Sequence, residues 1–162
     1  MLETEEKRGA VFVAAGEDRF GAPHRFINGR FDCKVSGKDN GGALAIFDTI
    51  RTEPGGPGQH YHLDQDEWFL VIEGDFVFKI GGDFYRLKAG DSIFAPRRVL
   101  HAFANISPTG RLVIGFQPAG TIEEFFAEGA KHLQMTPEIF ERFSRAHGME
   151  AVGPPLDPAS FR

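Results

Sequence analysis

The sequence predicts an all-β fold, a sandwich or barrel of antiparallel strands, with a short helical extension at its C-terminal end. Three observations carry this. The 162 residues hold 20 glycines and 10 prolines, which cut the chain into short segments. They also hold 17 phenylalanines, the side chains of an aromatic-rich interior. Between the turn residues lie brief β-branched or aromatic runs, too closely spaced for crossover helices, so neighbouring strands must run antiparallel.

The opening residues, 1–10, are charged and without periodicity and read as a tail. Strand-like runs follow: "AVFVAA", "ALAIFDTI", "EWFLVIEG", "DFVFKIGG", "DFYRLKAG", "DSIFAP", "LHAFANI" and "RLVIGFQ". Of these, "EWFLVI" is apolar at both parities, the pattern of a strand covered on both faces. Its outer face needs either the C-terminal helices or a second subunit. After Pro118 the pattern changes. Thr121 and Glu124 form a T-x-x-E capping box opening a helix at about 122–131, and Thr136 with Pro137 opens another. In that second helix Ile139, Phe140, Phe143 and Ala146 make an apolar stripe, and Gly148 is placed to end it. Both helices are expected on the outside of the barrel, and "GPPLDPASFR" as an extended tail. The expected organisation is thus a tail at 1–10, a barrel at 11–118, and helices with a tail at 119–162.

Composition excludes several classes. Hydrophobic residues at 41% and charged residues at 25% are ordinary for a globular chain. A net charge of -5 with scattered Lys and Arg argues against nucleic acid and favours a small neutral or apolar partner. The start, "MLETEEKRGA", has no signal-peptide pattern and no run spans a membrane, so the cytoplasm is the expected location. The single cysteine, Cys33, has no partner for a disulfide or a CxxC site and is read as a bystander.

The stretch "PGGPGQHYHLDQDEWFLVIEG" carries the chemistry. Side chains alternate along a strand, so His60 and His62 point the same way, whereas a helix would splay them by about 200°. Glu67 follows after a short acidic turn, and "GDSIFAPRRVLHAFAN" supplies His101 in another strand-like run. Three imidazoles and a carboxylate suit a divalent first-row ion such as Fe, Mn, Ni, Cu or Zn, and leave two positions open on an octahedral one. The alternative is that His60 and His62 are merely hydrogen-bonded polar residues of a barrel. His24, His132 and His147 have no such partners in sequence and read as surface or structural residues.

These stretches resemble the two cupin motifs. The first, G(x)5HxH(x)3-4E(x)6G, is matched by His60, His62, Glu67 and Gly74. The second, G(x)5PxG(x)2H(x)3N, is matched by Gly90, Pro96, His101 and Asn105, about 15 residues further on. Two positions depart from the pattern: Pro54 stands at the first glycine, and Arg98 stands where the second motif has Gly before its histidine. The resemblance implies a jelly-roll (double-stranded β-helix) barrel with His60, His62, Glu67 and His101 as metal ligands, and a homodimer is expected. The nearest likeness is to small single-barrel, quercetin-dioxygenase-like cupins, which implies a metal-dependent oxygenase with Glu67 as ligand and proton acceptor. By parity, Phe69 and Phe103 face inward near the metal and are candidates for contact with an aromatic or apolar substrate. A metal-dependent isomerase, lyase or decarboxylase, or a non-catalytic ligand-binding cupin, are the alternatives.

Overall fold

The structure is a computed structural model that describes residues 9–162, so the tail expected at 1–10 lies almost wholly outside the described residues. The strands are β1 (His24–Phe26), β2 (Gly29–Val35), β3 (Ala45–Arg51), β4 (Gly58–His62), β5 (Asp66–Glu73) and β6 (Phe76–Ile80). They continue with β7 (Asp83–Leu87), β8 (Ser92–Ala95), β9 (His101–Asn105), β10 (Gly110–Gln117) and, after two helices, β11 (Met149–Pro155). The helices are α1 (Ile122–Gly129) and α2 (Pro137–Ala146).

Two antiparallel sheets face each other. One has the order β1-β2-β3-β10-β5-β8 and the other β11-β4-β9-β6-β7. This is the jelly-roll arrangement of an all-β barrel with a helical extension. The order follows from side-chain alternation: on β5, Glu67, Phe69 and Val71 are buried while Trp68 between them is 40% exposed. Phe47, Phe76, Phe78, Leu112 and Ile114 fill the space between the sheets, each at most 2% exposed. The apolar surface removed from water in this way is the main force holding the two sheets together.

The structure corrects the sequence reading in four places. Residues 10–15, "AVFVAA", form no strand; β1 and β2 start the sheet instead. Their signal was diluted because Arg30, Asp32 and Lys34 interrupt the inward Phe31 and Cys33. The segment expected to trail away begins as β11, which pairs with β4 as an edge strand. Pro154 and Pro155 are tolerated there because an edge strand has one side free of ladder bonds. Thr121 makes no side-chain cap, and its hydroxyl instead bonds His147 Nδ1 at 2.9 Å. Thr136 does cap α2, accepting from Ile139 N–H at 3.3 Å.

The fourth correction matters most for function. The helices do not lie on the outside of the barrel; they lay their apolar faces across its interior end. Phe126 of α1 stacks on Phe31 with ring centroids 4.3 Å apart and lies 4.9 Å from the ring of Phe47 and 6.0 Å from that of Phe116. Those three rings point inward from β2, β3 and β10, so they form an apolar opening that an amphipathic helix can bury. Phe125 and Phe143 stack at 4.5 Å and join the two helices.

Candidate metal centre

His60, His62 and His101 come from one sheet and Glu67 from the other. The register sets His60 directly opposite His101 on β4 and β9, with ring centroids 4.5 Å apart. The His62 and His101 rings are parallel, 5.5 Å apart. Glu67 reaches across from β5: its Oε2 lies 2.8 Å from His62 Nε2 and hydrogen-bonds His101 Nε2. One ligand atom from each of the four residues falls within 4.8 Å of the others, and all four side chains are buried. The sequence reading of these four is therefore brought together in one place.

Two details bear on whether the cluster fits a metal. His60 Nδ1 donates to the Gly58 carbonyl at 2.8 Å and His101 Nδ1 lies 3.1 Å from the Val99 carbonyl, which turns each Nε2 toward the cluster. His62 Nε2, although near Glu67, is not aligned for a hydrogen bond and is left as a buried polar atom without one. A buried imidazole nitrogen with no partner is costly unless something else binds it. Oriented Nε2 atoms, an orphaned lone pair and one carboxylate form a donor set that suits a divalent transition metal.

The electrostatics agree. Burial, together with the charges of His101 and His62, pushes His60 down to about 3, so it is a neutral imidazole at physiological pH. For Glu67, burial opposes ionisation, but His62 and His101 outweigh it and hold the carboxyl well below the usual carboxylate range. Burial would lower His101, yet Glu67 overcomes it and raises the imidazole above its ordinary value.

The loops that carry the ligands show how the departures from the motifs are absorbed. Arg98 adopts a φ of 65°, the left-handed conformation for which Gly is usual, and its backbone N–H donates to the His62 carbonyl at 2.7 Å. The turn into β9 thus keeps its shape at the expense of local strain. In the loop before β4, Gly56 lets the backbone run against β9: a Cβ there would sit 1.8 Å from the Phe103 carbonyl oxygen. Asn105, the last residue of the second motif, donates to the carbonyls of Glu53 and Ser107 and pins this loop to the end of β9.

A narrow cavity of about 40 Å³ opens beside the cluster. His60, His62 and Glu67 form part of its wall, and Phe103, Phe116, Phe126 and Phe140 form much of the rest. Phe103, expected to face inward near the metal, is there. Phe69 is placed differently: it is fully buried between Phe78 and Phe103, 6.3 Å from the His101 ring, and supports the wall from behind.

Sequence reasoning missed three contributors to the cavity. Phe126 and Phe140 reach the cavity from the helices, which the amphipathic stripe could have indicated had the open barrel end been foreseen. Arg51 also lines the cavity and is only 1% exposed. Its signal was parity, since Phe47, Thr49 and Arg51 alternate along β3 and all three are buried. Cys33 is buried, and burial followed by the charge of Glu123 pushes its thiol up to about 12, which fits an inert residue. His147 bonds Thr121 and Glu128 of α1, a structural role. Among the described residues no helix is long and apolar enough to cross a membrane.

Comparison with known proteins agrees with this geometry. Residues 49–114 match the cupin domain family. An uncharacterized protein of Aquifex aeolicus is 33% identical over 60 residues, which is 37% of this chain and 50% of that protein, so the match spans half its length. Among solved structures, KdgF from a Halomonas species superposes with a TM-score of 0.58 at 18% identity, covering 68% of this chain and 94% of that one. An RmlC-like cupin from Shewanella frigidimarina gives 0.57 at 19% identity, covering 68% and 93%. A Thermotoga maritima protein described as a predicted oxalate decarboxylase gives 0.54 at 18% identity, covering 60% and 92%. At these identities the likeness is one of fold. With both motifs in order and their histidines and glutamate gathered in one buried cluster, the barrel has the cupin fold, and its residues 49–114 match the cupin domain family.

Proposed function

We propose that this chain is a metal-dependent, quercetin-dioxygenase-like oxygenase acting on a small aromatic or apolar molecule, with His60, His62, Glu67 and His101 as the metal ligands. The observation that carries this reading is the position of three of the four cluster residues, His60, His62 and Glu67, on the wall of a narrow, phenylalanine-lined cavity. When bound there, a divalent transition metal supplies coordination positions for the oxygen atoms of the reactants. The chain's own residues do the rest. Phe103, Phe116, Phe126 and Phe140 exclude water and offer aromatic faces to the apolar body of a substrate. Glu67, ionised at neutral pH, is at once a ligand and the base within reach of a substrate hydroxyl held in the cavity.

Oxygen-electrode measurements across flavonols and smaller aromatics test the reading. Substrate-dependent oxygen uptake that disappears in a Glu67→Gln variant is the expected result. Turnover unchanged by removal of oxygen would assign an isomerase, lyase or decarboxylase instead. Tight binding without product would make the chain a non-catalytic cupin.

We propose also that the protein is a homodimer. Trp68 on β5 and Phe94 on β8 are register partners on the outer face of the six-stranded sheet, 40% and 55% exposed. Trp68 is a part of "EWFLVI" that neither helix covers, and Phe94 lies beside it on the neighbouring strand. A second copy of the chain seated there would bury them.

A further inference from the structure

We infer that the substrate of this cavity carries a carboxylate and that Arg51 is the residue that binds it. The inference rests on the reading of the cavity as a small-molecule site and adds to it the chemical class of the molecule.

Arg51 ends β3 with its side chain between the sheets. Among the described residues no carboxylate pairs with it. Its guanidinium bonds the Asn28 side-chain oxygen, makes a long 3.4 Å contact with Thr49 Oγ1, and leaves Nε with no partner. The remaining neighbours are aromatic: the guanidinium carbon lies 5.7 Å from the Phe31 ring centroid and 5.4 Å from that of Phe103. Burial lowers Arg51 only to about 10, so it is a cation at neutral pH.

A buried, permanently charged group without a counter-ion is among the least favourable placements in a protein. Barrel packing alone would be served better by Leu or Met. The chain nevertheless makes specific room for the charge. Gly29, the register partner of Arg51 on β2, has no side chain, and a Cβ there would lie 2.3 Å from Arg51 Nη1.

The cavity explains what the charge is for. Apart from the histidines, its charged lining residues are Arg51 and Glu67, and Glu67 hydrogen-bonds His101 and lies beside His62 within the cluster. A divalent ion held by three neutral imidazoles and one carboxylate keeps one net positive charge. Arg51 supplies a second on the wall of the same cavity, and no anion of the protein answers it. A planar carboxylate does, because the guanidinium fork matches its two oxygens. No Lys and no second Arg line the cavity, which disfavours a phosphate dianion. The surrounding phenylalanines then take the apolar remainder, so the ligand is a small aromatic or aliphatic monocarboxylate.

The test uses the full chain loaded with zinc, which is diamagnetic, and ligand-observed NMR titrations with propionate and benzoate against propionamide and benzamide. Wild type is expected to bind at least one acid at least tenfold more tightly than its amide. Arg51→Met should lose that preference tenfold or more while keeping the wild-type zinc content, and Arg51→Lys should keep part of it. In buffer free of carboxylates, Arg51→Met should melt at or above the wild-type temperature, since it removes an unpaired buried charge. Equal binding of the acids by wild type and Arg51→Met, binding of neither acid, or a sharp fall in the melting temperature of Arg51→Met would each overturn the inference. Arg51-dependent acid binding without any turnover would leave it standing and remove only the enzymatic reading. Turnover of a neutral substrate that is unaffected by Arg51→Met would do the reverse.

Discussion

His60 on β4 and His101 on β9 are direct register partners, and their rings stand 4.5 Å apart at the point where Glu67 arrives from the opposite sheet. The cluster is therefore held by strand pairing on one side and by sheet packing on the other. Neither element can shift without moving a ligand, which is the rigidity a metal site requires.

This arrangement has a pH consequence. Although burial opposes it, Glu67 raises His101 above its ordinary value, so the metal-free protein keeps a proton on His101 to higher pH than an ordinary histidine would. A protonated imidazole cannot ligate. As pH falls through that raised value the fraction able to bind metal falls, and as pH rises the affinity recovers. Calorimetry of zinc binding in buffers of different ionisation enthalpy should detect proton release on binding that grows as the pH is lowered. Release of none would contradict the His101–Glu67 coupling.

The helices are part of the cavity and of the core at once. Phe126 touches rings from β2, β3 and β10, so Phe126→Ala should cost about 3–5 kcal/mol in denaturant unfolding. A loss below about 1 kcal/mol would mean that α1 does not seat in the barrel end.

Two loop positions near the cluster should respond very differently. Gly56→Ala drives a methyl group into the Phe103 carbonyl and should destabilise the fold by about 2 kcal/mol or more. Arg98→Gly relieves a positive φ while losing an exposed bond to the Leu63 carbonyl, and should change stability by less than about 1 kcal/mol. Thermal unfolding of the two variants side by side checks the ordering.

In the proposed homodimer the outer face of β5 and β8 is the contact between the two copies. Light scattering on a size-exclusion column should give the mass of two chains for wild type. A Trp68→Arg/Phe94→Arg variant should run as one chain with its fold intact. A wild-type monomer would leave that apolar face unexplained.

The four-residue cluster was legible because strand alternation is strict. His60 and His62 share a face at any register, and the spacing to Glu67 and the second motif bring in the rest. Most strands were legible for the same reason. What escaped was decided by tertiary context. Nothing local says that the amphipathic faces of α1 and α2 cover a barrel end rather than its outer wall. Arg51, one of 18 basic residues, becomes conspicuous only when burial and the lack of an ion pair are known. The strand β11 hid behind its prolines, which only an edge position permits.

The most direct measurement is elemental analysis of the native protein beside a His60→Ala/His62→Ala variant. The cluster geometry predicts close to one transition-metal ion per chain in the native protein and at least a tenfold lower content in the variant. Near-zero metal in both proteins would contradict a metal centre at these residues.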